Sequence, residues 1–268
     1  MKTVLITGAS GGIGGALCSY FEKRDYRVIA HARREEQARA LCADTDRMPV
    51  WGDLTVKADV RALVDEVKSA GPLDVLVHNA GILSKSTEIG PNGVGIQAEV
   101  NVVAPARLTR ALVPHMAKSA DPLVVVISSE AVKFTRSHRY DKLATPNGTS
   151  IFGHYALSKA AANALVVAMA KKYPHIRFVA TEPGFVNTKM TVGNNSMPKI
   201  MQKMADKFGI SPDQAAHRCF DHLMDHKLDS GSVVQNGKVV NSNRRTWGKQ
   251  AALDALDKLL AKADAALL

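Results

Sequence analysis

Tyr155 and Lys159 stand four residues apart in Gly153-His154-Tyr155-Ala156-Leu157-Ser158-Lys159-Ala160-Ala161, inside a run from Tyr155 to Tyr173 that holds neither Gly nor Pro. The Ala-rich composition predicts a helix, and residues four apart on a helix share a face, so a phenol and an ammonium are held side by side. Free tyrosine titrates near pH ~10 and carries protons poorly at neutral pH; a fixed cation beside it favours the phenolate and brings it toward the working range. The pair therefore points to proton transfer. Tyr20/Arg24 and Tyr173/Arg177 repeat the spacing with no chemistry attached, so Tyr155/Lys159 draws its meaning from the elements that position it.

Those elements alternate. Thr3-Val4-Leu5-Ile6-Thr7 is a short β-branched run that passes into Gly8-Ala9-Ser10-Gly11-Gly12-Ile13-Gly14-Gly15 and then a helical stretch over 16–24. Strand, glycine turn and helix in that order make a phosphate cradle, in which the backbone can approach a pyrophosphate at the helix N-terminus. Residues 26–31 read as the second strand, followed by Ala32-Arg33-Arg34, where an acidic residue would bond a ribose 2′-hydroxyl and an arginine would accept a 2′-phosphate. Arg33 with no acid before it favours NADP(H); an exposed helix entry is the alternative use of Arg33 and Arg34. Trp51-Gly52-Asp53-Leu54 closes a third strand. Residues 73–78 form a nearly continuous apolar run, expected of a parallel strand buried on both faces, and end in Asn79-Ala80-Gly81. Leu123-Val124-Val125-Val126-Ile127 delivers Ser128-Ser129 at a strand's carboxyl end, where open parallel sheets place ligands.

The glycine loop, T-G-x-x-x-G-x-G, together with N-A-G, I-S-S, Tyr-x3-Lys and Pro183-Gly184-Phe185-Val186-Asn187-Thr188, resembles the short-chain dehydrogenase/reductase family over residues 3 to about 190. Because Gly11 and Gly12 are both present, the loop also fits T-G-x-x-G-x-x-G of the family's extended epimerases and dehydratases. The N-A-G and P-G-x-V-x-T segments belong to its compact branch. The resemblance implies a doubly wound parallel sheet of seven strands with helices on both faces, in one Rossmann-type α/β domain. It implies that Gly8, Ser10, Gly11, Gly12, Ile13, Gly14, Arg33, Asp53, Leu54, Asn79, Ala80, Gly81, Tyr155, Lys159, Pro183, Gly184, Val186 and Thr188 hold NADP(H). By the same resemblance Tyr155 is the proton donor, Lys159 lowers its pKa and bonds the ribose, Ser129 polarises the carbonyl, and Asn101, in a helical stretch over 96–118, anchors a water-linked relay. The implied activity is carbonyl reduction or the reverse. A nucleotide-sugar epimerase or dehydratase using the same Tyr/Lys pair, and a non-catalytic NADP(H)-binding sensor, are the alternatives.

The family usually has about a dozen residues between Ser129 and Tyr155, where this chain has 25, so an inserted loop is expected near the site mouth, with His138, Tyr140 and His154 as surface polar groups. The stretch after Thr188, with Met190, Met197, Met201, Met204 and Phe208, reads as an adaptable apolar lid within 187–230, over a mainly apolar carbonyl or alcohol substrate. The catalytic domain is expected over 1–245. Residues 246–268 form an amphipathic C-terminal helix that packs on it, with a subunit or membrane-surface contact as the alternatives.

Composition narrows the rest. With 268 residues and 46% hydrophobic content the chain can bury a substantial core. Cys18, Cys42 and Cys219 are too few and too scattered for a disulfide framework or a metal cluster, and no metal is expected. The sequence opens on a strand with no charged n-region or long apolar h-region before it, so no leader is expected, and no run nears ~18 apolar residues, so no membrane span is expected. The net charge of +10 is spread in ones and twos without a nucleic-acid motif, so no nucleic-acid partner is expected either. A cytoplasmic homo-oligomer is the expected setting.

Overall fold

The computed structural model describes residues 1–84, 88–135, 138–145, 150–188, 199–225, 228–235, 237–240 and 246–264, without the side chains of 200, 201, 204, 205, 225 and 246. Met190 and Met197, and the side chains of Met201 and Met204, lie outside the described residues, as does Leu267.

The first half alternates strand and helix: β1 (Lys2–Ile6), α1 (Gly12–Glu22), β2 (Tyr26–Ala32), α2 (Glu35–Cys42), β3 (Met48–Trp51), α3 (Lys57–Ser69) and β4 (Val75–His78). A single helical rod follows, built as α4 (Ile96–Ala98), a π turn (Glu99–Val103) and α5 (Ala104–Met116). After β5 (Leu123–Ile127) come 3-10 turns at Glu130–Phe134 and Tyr140–Leu143. Next are α6 (Ile151–Lys172), β6 (Arg177–Thr181), α7 (Lys199–Phe208), α8 (Pro212–Asp225), β7 (Ser232–Gln235), β8 (Lys238–Val240) and α9 (Gln250–Lys262).

The strands make one sheet in the order β3-β2-β1-β4-β5-β6-β7-β8, parallel throughout except for β8. Seven parallel strands match the sequence expectation, and the eighth corrects its count. Gln235 pairs with Lys238 across a two-residue connection in which Gly237 takes φ 69°, so the chain folds straight back and adds a short antiparallel edge. Side chains alternate across the strands. Leu5, Leu76, Val124 and Val126 enter the core shared with α3, α5, α6 and α9, while Val4, Ile6, Val75, Val77, Val125 and Ile127 enter the one shared with α1 and α8. β1 lies between β2 and β4, so strand order reverses there, and the crevice outside the carboxyl ends of β1 and β4 is where such sheets bind ligands.

α6 is buried on nearly every side, and its Ala-rich sequence lets β5, β6 and α9 approach. The segment before it is not a plain surface loop. Tyr140 is fully buried and donates from its hydroxyl to the Ala160 carbonyl, and His154 is fully buried under Gly95, which corrects the reading of both as surface polar groups. Sequence polarity misled because the 3-10 turn Tyr140–Leu143 is clamped between α6 and α9, whereas the turn Glu130–Phe134 brings Glu130 and Ala131 to the cavity.

Candidate active site

The glycine loop is built by close approach. Gly8 takes φ 65°, and a Cβ there would sit 2.8 Å from the Ala80 Cα; a Cβ on Gly14 would lie 2.3 Å from the Gly8 carbonyl oxygen. These two positions require glycine, and the loop thereby lies flat against the start of α1. Asn79 stitches the loop to the end of β4: its amide donates to the Thr7 and Gly8 carbonyls at 2.9 and 3.0 Å, while Thr7 Oγ1 accepts from the Asn79 and Ala80 amides, both at 3.1 Å. The switch point is thus tied together by the residues that line it.

His31 was not singled out from the sequence, and the structure gives it a central place. Buried at the end of β2, it accepts the Gly8 N–H on Nδ1 at 3.2 Å and pairs with the Gly52 carbonyl through Nε2 at 3.0 Å, while its own carbonyl accepts the Ala9 N–H at 2.7 Å. Those contacts fix the neutral tautomer with its proton on Nε2. Burial holds its pKa below the usual histidine value, with the Gly52 carbonyl pulling the other way. A histidine inside an otherwise apolar strand was the signal available.

Ala32, the last residue of β2, is buried, and Arg33 just beyond it is exposed on the cavity rim. Asp53 turns its Oδ1 back on Thr55, accepting the backbone N–H at 2.9 Å and the hydroxyl at 2.7 Å, with Leu54 beside it.

At the other end, β5 delivers Ser129 as the cap of the turn Glu130–Phe134, its Oγ accepting the Ala131 N–H at 3.2 Å. Tyr155 and Lys159 reach the same place from α6, both buried. Desolvation pushes the Tyr155 phenol above its ordinary value, and a hydrogen bond with the Ser129 side chain pulls it back. Lys159 Nζ donates to the Ile127 carbonyl at 2.9 Å, and burial lowers its pKa from 10.5 to about 8. Here the structure differs from the simple pairing: the phenol's acidity is set by burial and Ser129, and the ammonium is turned to β5.

Asn101 stands one layer behind. It occupies the π turn, a distortion frequent at functional sites, and clamps Ile82 by accepting its N–H at 2.9 Å and donating to its carbonyl at 3.1 Å. Its amide also donates to Ser158 Oγ at 3.0 Å, and Ser158 donates to the Tyr155 carbonyl at 2.8 Å. A Cβ on Gly81 would lie 3.1 Å from Lys159 Nζ and 3.2 Å from Asn101 Oδ1, so both side chains border Gly81.

Pro183 to Thr188 closes the far side, held by the Ile210 bridge to Val186 and by the Arg218 guanidinium, which donates to the Pro183 carbonyl at 3.4 Å. Gly184 takes φ 83°, and a Cβ there would meet Arg218 at 2.5 Å. Thr188 faces the glycine loop, its Cγ2 lying 3.2 Å from where a Gly12 Cβ would be.

All the expected cofactor-binding and catalytic residues except Asn101 line one continuous cavity of about 1410 Å³, whereas Phe208 of the expected lid does not line it. That exceeds the usual ~300–1,000 Å³ of a single small-ligand site and suits a dinucleotide with a substrate beside it. Around Tyr155 the wall is apolar, formed by Leu83, Ala131, Phe152 and Phe185. No cluster of potential metal ligands occurs among the described residues. No helix among them is long and apolar enough to cross a membrane.

Comparison with known proteins gives relatives in sequence and in fold. A family model described as short chain dehydrogenase matches residues 2–199. The oxidoreductase UcpA of Salmonella typhimurium is 31% identical over 202 residues, 70% of this chain and 71% of that protein. The NADPH-dependent pterin aldehyde reductase of Arabidopsis thaliana is 29% identical over 198 residues, 70% of this chain and 76% of that one. Among solved structures, the KRED1-Pglu enzyme superposes with a TM-score of 0.70 at 25% identity, covering 87% of this chain and all of the other. A short-chain dehydrogenase/reductase from Saccharomyces cerevisiae shares the fold with a TM-score of 0.70 at 24% identity, covering 95% and 99% of the two chains.

Proposed function

We propose, from the premise that the chain belongs to the short-chain dehydrogenase family and is an oxidoreductase of it, that its reaction is the NADP(H)-dependent reduction of a ketone or aldehyde to the alcohol, or the reverse. The reading rests on one observation: Tyr155, Lys159 and Ser129 converge at the carboxyl end of β5, on the same cavity whose opposite rim carries the exposed Arg33.

When bound, the dinucleotide supplies the hydride in reduction and accepts it in oxidation. The glycine loop, with flat backbone at Gly8, Gly11 and Gly12, would hold the pyrophosphate, and Arg33 the 2′-phosphate. Asp53 and Leu54 would border the adenine. Asn79, Ala80 and Gly81 would back the cofactor from β4, and Pro183, Gly184, Val186 and Thr188 would hold the nicotinamide end.

Ser129 donates a hydrogen bond to the substrate oxygen, and Tyr155 supplies the proton that oxygen takes up. Lys159, charged, adds positive charge to the site as the phenolate forms and would bond the ribose. Asn101 keeps Ile82 and the turn of α6 beneath Tyr155 in register and anchors the water-linked return of the proton. In the oxidising direction the same groups run in reverse. The named activity of the Arabidopsis relative, an NADPH-dependent aldehyde reductase, supports both cofactor and carbonyl class. The test is oxidation of NADPH and of NADH against a panel of aldehydes and ketones: turnover with NADPH is expected, and a strict NADH requirement or no turnover of any carbonyl would overturn the reading.

A further inference from the structure

We propose that the substrate carries a flat aromatic ring next to its carbonyl, and that Phe134, Phe152 and Phe185 form the shelf that receives it. The inference rests on the reductase reading and names the substrate class of that site.

The rings are placed by the residues of the candidate active site. Ser129 starts the 3-10 turn that ends at Phe134, and Phe152 lies three residues before Tyr155 on the first turn of α6, which puts it on the same face. Phe134 and Phe152 meet edge to face, with centroids 5.8 Å apart and planes at 68°. Phe152 leans on Tyr155, with centroids 6.3 Å apart and planes at 38°. The three rings run as one aromatic strip from solvent to the phenol. Phe185 comes from the Pro183–Thr188 side, with Leu83, Ala131 and Ile151 filling in around Tyr155.

Phe134 is 66% exposed and lies outside the cavity lining, reached from it through Phe152; Phe152 and Phe185 line the cavity and are half-buried. The charged groups of the turn do not break the strip, because Lys133 is paired with Glu130. An aliphatic chain would gain from this wall only by burial. A second ring also gains from edge-to-face and offset contacts, which a strip of tilted rings offers along its length. That difference separates an aryl ketone from its saturated analogue of nearly equal size and polarity.

Two measurements on the same variants test this. The first is kcat/KM with NADPH for acetophenone and for cyclohexyl methyl ketone. The second is calorimetric binding of 1-phenylethanol and 1-cyclohexylethanol to the protein–NADP⁺ complex. For the unmodified chain the phenyl member should be favoured by about three- to tenfold in each. Phe134→Leu and Phe152→Leu keep an apolar side chain and remove the ring, so each should bring the ratio toward one; Phe134, being exposed, can be replaced without disturbing the core. A ratio of one or less in the unmodified chain, a ratio untouched by both variants, or no binding of either alcohol overturns the shelf. Turnover with a ratio of one leaves the reductase reading standing without the shelf. A phenyl preference in binding that the variants abolish, with no carbonyl turned over, supports the shelf and overturns the reductase reading.

Discussion

Lys159 shows how far a side chain's chemistry is set by where the fold puts it. Its i,i+4 relation to Tyr155 was legible from spacing, but its burial and its bond to the Ile127 carbonyl were not, because they depend on β5, which lies 32 residues earlier in the chain. With a folded pKa of about 8 against 10.5 for the free group, the unfolded chain binds more protons between those two values, so Lys159 makes stability rise with pH across that window and costs stability below it. Lys159→Met should therefore raise stability at pH 7 by about 1–3 kcal/mol, with the gain fading toward pH ~10.5, while turnover is lost. Denaturant titrations of both proteins at pH 7 and near pH 10 check this; a destabilised variant at pH 7 would contradict it. Turnover that needs the charged ammonium should decline on the alkaline side as pH rises through about 8. At the other end of the cavity, Arg33→Ala should weaken NADPH binding by about 1.5–3 kcal/mol and leave NADH nearly unchanged; equal losses would remove the 2′-phosphate assignment. His31 escaped the sequence reading for a physical reason. Its work is to join Gly8 to Gly52, two glycines brought together only when β1, β2 and β3 pair.

Glycine turns, parallel strands and the Ala-rich helix were readable because each rests on local chemistry: φ > 0 at Gly8, unbroken apolar runs, small residues along α6. The π turn at Glu99–Val103 was not, since apolar spacing over 96–118 looks the same whether one residue is extra or not. What holds that turn is a buried polar network. Glu99 accepts the Asn92 N–H at 2.6 Å and the Asn92 side-chain amide at 3.2 Å, and Asn92 donates onward to the Thr55 carbonyl at 2.8 Å. Arg107 donates to Asn92 Oδ1 at 3.0 Å and to the carbonyl of Ala263, just past the end of α9. Burial pushes the Glu99 carboxyl up, while the Asn92 bonds and Arg107 hold it down. The π turn carrying Asn101, the wall below Asp53 and the C-terminal helix are thereby one mechanical unit. Arg107→Met should cost about 1.5–3 kcal/mol of stability, more than its loss of packing alone, because Asn92 and the Ala263 carbonyl lose a charged donor. Thermal melting measures it; an unchanged Tm would show that the network is incidental.

For the whole molecule, the order of elements predicted the architecture because a parallel sheet with right-handed crossovers admits few arrangements, and the eighth strand is a short antiparallel edge paired with β7. The tail was less legible. Leu253, Leu256, Leu259 and Leu260 marked an apolar face, but what it covers, α6 and the turn Tyr140–Leu143, is set by tertiary packing. On the proposed reading the net charge of +10 has one local use in the exposed Arg33, which stands on the cavity rim. On the reductase reading the two ends of that cavity act together, the glycine loop holding the cofactor and Tyr155 the proton. That reading is tested most directly by Tyr155→Phe, which keeps the ring and removes only the hydroxyl, with NADPH affinity and kcat on a confirmed carbonyl substrate measured on the same preparation. The account predicts affinity near that of the unmodified chain and kcat lower by about a hundredfold or more; full turnover in Tyr155→Phe would contradict it.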